Sequence, residues 1–87
     1  MNGKNVYLIT FRSVTYAQRG ERLLMEQGIR CIVQRTPRWM EEQGCGYALR
    51  LRTGEIRRAA EALRAAGLPL RKIYVQGREG KLEELEL

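Results

Sequence analysis

Histidine and aspartate are both missing from these 87 residues. The first absence removes imidazole bases, His-containing triads and two-histidine metal sites; the second leaves glutamate as the only carboxylate side chain. Cysteine occurs only twice, as does proline, and tryptophan and phenylalanine occur once each. Two cysteines cannot build a secreted disulfide framework and make a poor zinc site, so a reducing cytoplasm is the expected setting, with no metal and no cofactor. No apolar run approaches the roughly 20 residues needed to span a bilayer, and the short apolar stretch behind Met1-Asn2-Gly3-Lys4 is too brief for a signal peptide. No membrane partner is expected. A chain of this length suggests one domain that buries roughly 60 to 65% of its unfolded surface without staples.

Positive charge is plentiful and unevenly placed. Residues 1–78 hold fifteen Lys/Arg against six Glu, whereas residues 79–87 hold one Lys against four Glu, for a net charge of +6. The division suggests a basic domain over 1–78 and an acidic C-terminal tail over 79–87. A basic body attracts phosphates or an acidic protein, but arginines scattered over both helices and several strands equally describe a solvated surface. The tail Lys81-Leu82-Glu83-Glu84-Leu85-Glu86-Leu87 has three options: to fold back on the basic surface, to extend a sheet, or to remain free.

The apolar pattern reads strand, helix, strand, strand, helix, strand. Val6 to Phe11 is apolar on both faces, as a central strand is. Ser13 suits a helix N-cap, Val14 to Gln27 follows with Gly20 as a weak point, and Gly28 closes the helix. Ile29 to Arg35 alternates, with Ile29, Cys31 and Val33 on one face; Tyr47, Leu49 and Leu51 alternate in the next strand. Thr53 is placed to cap a second helix carrying Ile56, Ala59, Ala60, Leu63 and Ala66 on one stripe, ended by Gly67 and Pro69. Arg71 to Gln76 supplies the last strand. This order fits an α+β, ferredoxin-like βαββαβ arrangement, a four-stranded antiparallel sheet with two helices on one face. Strands one and three are expected to lie side by side and parallel, which would put the start of strand three at the end of the sheet where both helices stop.

Between the second and third strands lies Thr36-Pro37-Arg38-Trp39-Met40-Glu41-Glu42-Gln43-Gly44-Cys45-Gly46. Glycines on both sides of Cys45 remove neighbouring Cβ atoms and permit close approach to the sulfur; a tight turn that contains a cysteine by chance is the alternative. Arg38 is the nearest cation able to favour a thiolate, or else an exposed loop arginine. Glu41, Glu42 and the negative ends of two helices would oppose that thiolate. Trp39 and Met40 either form a contact surface for a protein partner or cover the open end of the core.

These residues resemble a family of small proteins grouped as selenium/sulfur carriers. The resemblance covers most of the chain. It rests on Tyr7-Leu8-Ile9-Thr10-Phe11-Arg12-Ser13, on Thr36-Pro37-Arg38, and on Cys45-Gly46 running into Tyr47-Ala48-Leu49-Arg50-Leu51. It implies that Cys45 is the carrier thiol, with Pro37, Arg38 and Gly46 as its setting, to which the flanking Gly44 is added by the reading of the loop itself. It also implies a protein that is not itself an enzyme, accepting a persulfide or selenopersulfide and delivering it to a partner enzyme. The partner would be a cysteine desulfurase or a chalcogen acceptor.

Two other classes compete. A plain interaction or dimerisation module needs no reactive cysteine, and its partner could be a second copy of the chain. An RNA binder needs basic and aromatic residues on one open sheet face, and Tyr7 and Tyr47 are expected to be neighbours on strands one and three. Tyr47, however, shares its face with Leu49 and Leu51, the residues expected beneath the helices.

Overall fold

The computed structural model of the chain describes residues 6–36, 46–52, 54–77 and 80–86. Its elements run β1 (Val6–Phe11), α1 (Val14–Glu26), β2 (Ile32–Arg35), β3 (Tyr47–Leu51), α2 (Ile56–Ala65), β4 (Ile73–Gln76) and β5 (Leu82–Leu85). The strands form one sheet in the order β2-β3-β1-β4-β5, every neighbouring pair antiparallel. The fold is therefore α+β with five strands rather than four. The additional strand comes from the tail, which extends the sheet: Leu82–Leu85 pairs with Ile73–Gln76, and the Gly77 N–H donates to the Lys81 carbonyl at 3.1 Å just beyond the ladder.

β1 and β3 are neighbours, but they run antiparallel, Phe11 facing Tyr47 and Tyr7 facing Leu51. The reason is the hairpin. β3 turns back from β2, and β2 runs the same way as β1 because α1 carries the chain back to the starting end. Each helix thus joins two strands with one other strand between them, β3 in the first unit and β1 in the second. This is the split βαβ connection, made twice.

Side-chain alternation explains the layers. Tyr7, Ile9 and Phe11 of β1 share a face with Leu49, Leu51, Val33, Ile73 and Leu85, and all of them belong to or pack on the same core as Ala17 and Leu24 of α1 and Ile56, Ala59, Ala60 and Leu63 of α2. Both helices lie on that face. The other face of β1 is covered as well, with Leu8 and Thr10 buried, which accounts for the unbroken apolar run of a central strand.

The two helices end alike. In α1, Gly28 at φ +81 donates to the Met25 carbonyl (3.0 Å) and Ile29 to the Leu24 carbonyl (2.8 Å). In α2, Gly67 at φ +77 donates to Arg64 (2.9 Å) and Leu68 to Leu63 (3.0 Å). Both are Schellman closures, in which a left-handed glycine returns the next apolar residue onto the helix. Ile29 and Leu68 are accordingly buried although neither lies in a helix or strand.

The helix starts differ. Ser13 caps α1 in extended conformation, its Oγ accepting the Tyr16 N–H at 3.2 Å. The N-cap residue of α2 is Glu55, without a side-chain cap bond; Thr53 lies outside the described residues. Glu55 instead pairs with Arg58 at 2.7 Å, and Arg58 also donates to the Gln27 carbonyl, placing a cation at the negative end of α1.

Candidate functional site

The sheet register places the frame of the candidate site. β2 and β3 pair from Ile32↔Arg50 to Arg35↔Tyr47, and the ladder continues one step further, the Thr36 N–H donating to the Gly46 carbonyl at 3.1 Å. Beyond that step run residues 37–45. Of the predicted site residues, Gly46 is described and buried; Pro37, Arg38, Trp39, Met40, Gly44 and Cys45 lie outside the described residues, as do Glu41, Glu42 and Gln43.

Antiparallel pairing of β1 and β3 changes the electrostatics of this end. Gly46 precedes Tyr47, Tyr47 faces Phe11, and Phe11 is followed within two residues by the Ser13 N-cap. The positive end of α1 therefore lies at the end of the sheet where β3 begins. Only α2 brings its C-terminus there, and it is α1 that packs against β1, β2 and β3. The expectation that both helices end beside the hairpin fails on this point. A helix N-terminus favours an anion, so α1 brings a positive dipole end, not a second negative one, to the end of the sheet that holds Gly46.

Sequence reasoning also missed Arg35 and Arg12. Arg35 sits on the last paired position of β2, its guanidinium 6.0 Å from the centroid of the Tyr47 ring, and Arg12 is exposed immediately after β1. The β2–β3 hairpin alone brings Arg35 to the Gly46 end, and the antiparallel direction of β1 against β3 brings Arg12 there.

Cys31 belongs to the other end of β2. It is a free thiol, half-buried against the core, with its Sγ 4.0 Å from the Glu21 carbonyl. Burial, and behind it the charge of Glu21, pushes its pKa up from 9.0 to about 11. It packs as a small hydrophobe under α1, as its face-sharing with Ile29 and Val33 predicts.

The aromatic platform required of an RNA binder is not formed by the expected pair. Tyr7 faces Leu51 and Tyr47 faces Phe11, so the two tyrosines lie four residues apart along β1, about 13 Å. Both pack on the helix-side core. The opposite face of β1 and β3 carries Leu8, Thr10, Ala48 and Arg50, none of them aromatic; among the described residues the ring on that face is Tyr74 of β4, opposite Leu8 and not on the two strands expected to carry the platform.

Among the described residues, no three Cys or Glu side chains cluster so as to hold a metal ion, and no helix is long and apolar enough to cross a membrane. Neither a curated protein nor a solved structure matches the chain significantly. A family model does match, over residues 6–75, which takes in β1 through most of β4 together with both helices and the whole β2–β3 hairpin. The chain belongs to the family described as "Putative Se/S carrier protein-like".

Proposed function

We propose that this protein carries sulfur or selenium on Cys45, taking the atom from a donor persulfide or selenopersulfide and passing it to a partner enzyme. The observation that carries this reading is the family match over residues 6–75, which spans the hairpin containing Cys45. The antiparallel frame supports it, because Gly46 sits at the end of the sheet where α1 begins and where Arg12 and Arg35 add positive charge.

The loading step is an exchange at sulfur. The Cys45 thiolate attacks the outer sulfur of a donor R–S–SH, a new S–S bond forms to Cys45, the donor S–S bond breaks, and its electron pair leaves as R–S⁻. No net oxidant is consumed. In delivery, the acceptor's nucleophile attacks the outer atom and Cys45 departs as a thiolate. A lowered thiol pKa helps both halves, since the attacking and leaving species are the same anion. Arg38 is the loop cation assigned to favour that anion against Glu41 and Glu42, with Pro37, Gly44 and Gly46 shaping access and Trp39 and Met40 contacting the partner. The protein is an acceptor and donor and not an independent catalyst. A ferredoxin-like core, widened by β5, is the scaffold in this reading, and the cytoplasm its compartment.

Incubation with a cysteine desulfurase and cysteine, followed by native mass spectrometry, tests the proposal. One added sulfur atom that dithiothreitol removes and that maps to Cys45 is the expected result.

A further inference from the structure

At the end of the sheet away from Gly46, a groove of about 920 Å³ opens between the close of α1, the start of β2, the end of β3 and the start of α2. Arg30, Arg50 and Arg52 line it, and among the described residues none of the three forms an ion pair. The one carboxylate in the lining, Glu55, is engaged by Arg58 at 2.7 Å. Two large apolar side chains stand exposed at the same place, Met25 and Ile32, each 59% accessible.

We propose that this groove docks an acidic segment of a partner protein, one that presents an apolar side chain between carboxylates. Three arginines without carboxylate partners among the described residues supply the charge complementarity, and the planar guanidinium matches a carboxylate with two parallel bonds. Met25 and Ile32 supply the apolar seat. β2 is an edge strand, so an extended segment can add beside it while its side chains reach the groove.

The same features select against other occupants. RNA would find arginines, but no aromatic ring lines the groove for its bases to stack on. A second copy could offer its acidic β5, but that strand is already paired with β4 and its Leu85 packs on its own core, so self-association through this groove in place of peptide binding would overturn the proposal. Docking here leaves the Thr36–Gly46 end of the hairpin uncovered, and it does not depend on whether Cys45 carries an atom.

The test titrates the full chain, isotope-labelled for NMR, with a fluorescent peptide of alternating Glu and Leu. Three comparison probes are a peptide with Lys in place of Glu, one with Ser in place of Leu, and a single-stranded RNA. Saturable binding of the Glu/Leu peptide is expected, with amide shifts concentrated at Met25, Arg30, Ile32 and Arg50 in the wild-type protein. Arg30→Glu combined with Arg52→Glu should weaken it about tenfold or more, and Ile32→Ser several-fold, whereas Arg57→Glu on the exposed side of α2 should leave it unchanged. The proposal is overturned if the peptide fails to bind, if its shifts map away from the groove, if the Ser peptide binds equally well, or if RNA binds more tightly through the same arginines. Shift mapping on the unmodified protein keeps the test decisive should a charge-reversed variant not fold.

Discussion

The Thr36 N–H donates to the Gly46 carbonyl at 3.1 Å, and this bond sets how far Cys31 stands from Gly46, the residue that follows Cys45. Thr36 ends the run that starts at Cys31, five residues earlier. At about 3.4 Å per residue, Cys31 lies some 17 Å along the strand from Gly46.

Cys31 and Cys45 should therefore form no intramolecular disulfide. Chain connectivity holds the Cα of Cys45 within about 3.8 Å of Gly46, whereas a bridge needs Cα atoms within about 7 Å of each other. Non-reducing peptide mapping of the native protein should find two separate thiols. A Cys31–Cys45 bridged peptide would contradict the register.

The two thiols should also react at different rates. With its pKa pushed to about 11, Cys31 is almost wholly protonated near neutral pH, so iodoacetamide should label Cys45 first. Labelling of Cys31 in the folded protein should rise only as the pH approaches 11. The sign for stability follows from the same shift. The folded thiol holds its proton more tightly than the unfolded one, so its contribution is fully present below pH 9 and is lost as the pH rises toward 11. Replacing Arg38 with Ala should slow labelling of Cys45, and an unchanged rate would remove Arg38 from the site.

Gly20, which sequence alone marks as a weak point of α1, has a packing reason. A Cβ built there would stand 3.0 Å from Leu49 Cδ1, 3.1 Å from Leu63 Cδ2 and 3.4 Å from Phe11 Cζ. The glycine lets α1 approach β3 and α2 closely. Gly20→Val should cost about 1–3 kcal/mol through overpacking, read as a lowered midpoint in urea. A variant as stable as wild type would show that the core yields there.

Thr10 is the one buried polar side chain among the described residues, and its hydroxyl is used twice. Its Oγ1 accepts the Lys72 N–H at 3.0 Å and donates to the Lys72 carbonyl at 3.2 Å, fastening the start of β4 to β1. Thr10→Val keeps the shape and removes both bonds, and should cost about 1–2 kcal/mol. Hydrogen exchange at the Lys72 amide should rise with it, and no change in either would mean that water replaces the hydroxyl.

Much of the architecture was legible because its signals are local. Ser13, Gly28 and Gly67 mark helix ends through the capping and closing bonds they make, and the stripe Ile56, Ala59, Ala60, Leu63 marks a buried helix face. Ile29 was less clear, since its alternation with Cys31 and Val33 reads as strand while its burial comes from the closure of α1; β2 begins only at Ile32. What pattern could not give was non-local. The direction of β3 against β1 depends on how the crossover and hairpin combine, and the error there misplaced the helix ends and so the sign of the field near Gly46. β5 does not declare itself in the sequence, because Leu82 and Leu85 are too few to mark a strand until Ile73 and Gln76 are opposite them. The arginine groove is non-local as well, its lining drawn from the end of α1, the link into β2, the end of β3 and the approach to α2.

In the proposed function Cys45 receives the transferred atom. Wild type, Cys31→Ser and Cys45→Ser proteins, each incubated with a cysteine desulfurase and cysteine and weighed intact, test it most directly. One reductant-labile sulfur should appear on wild type and on Cys31→Ser, and none on Cys45→Ser. Loading that survives Cys45→Ser, or that disappears with Cys31→Ser in a folded protein, would contradict it.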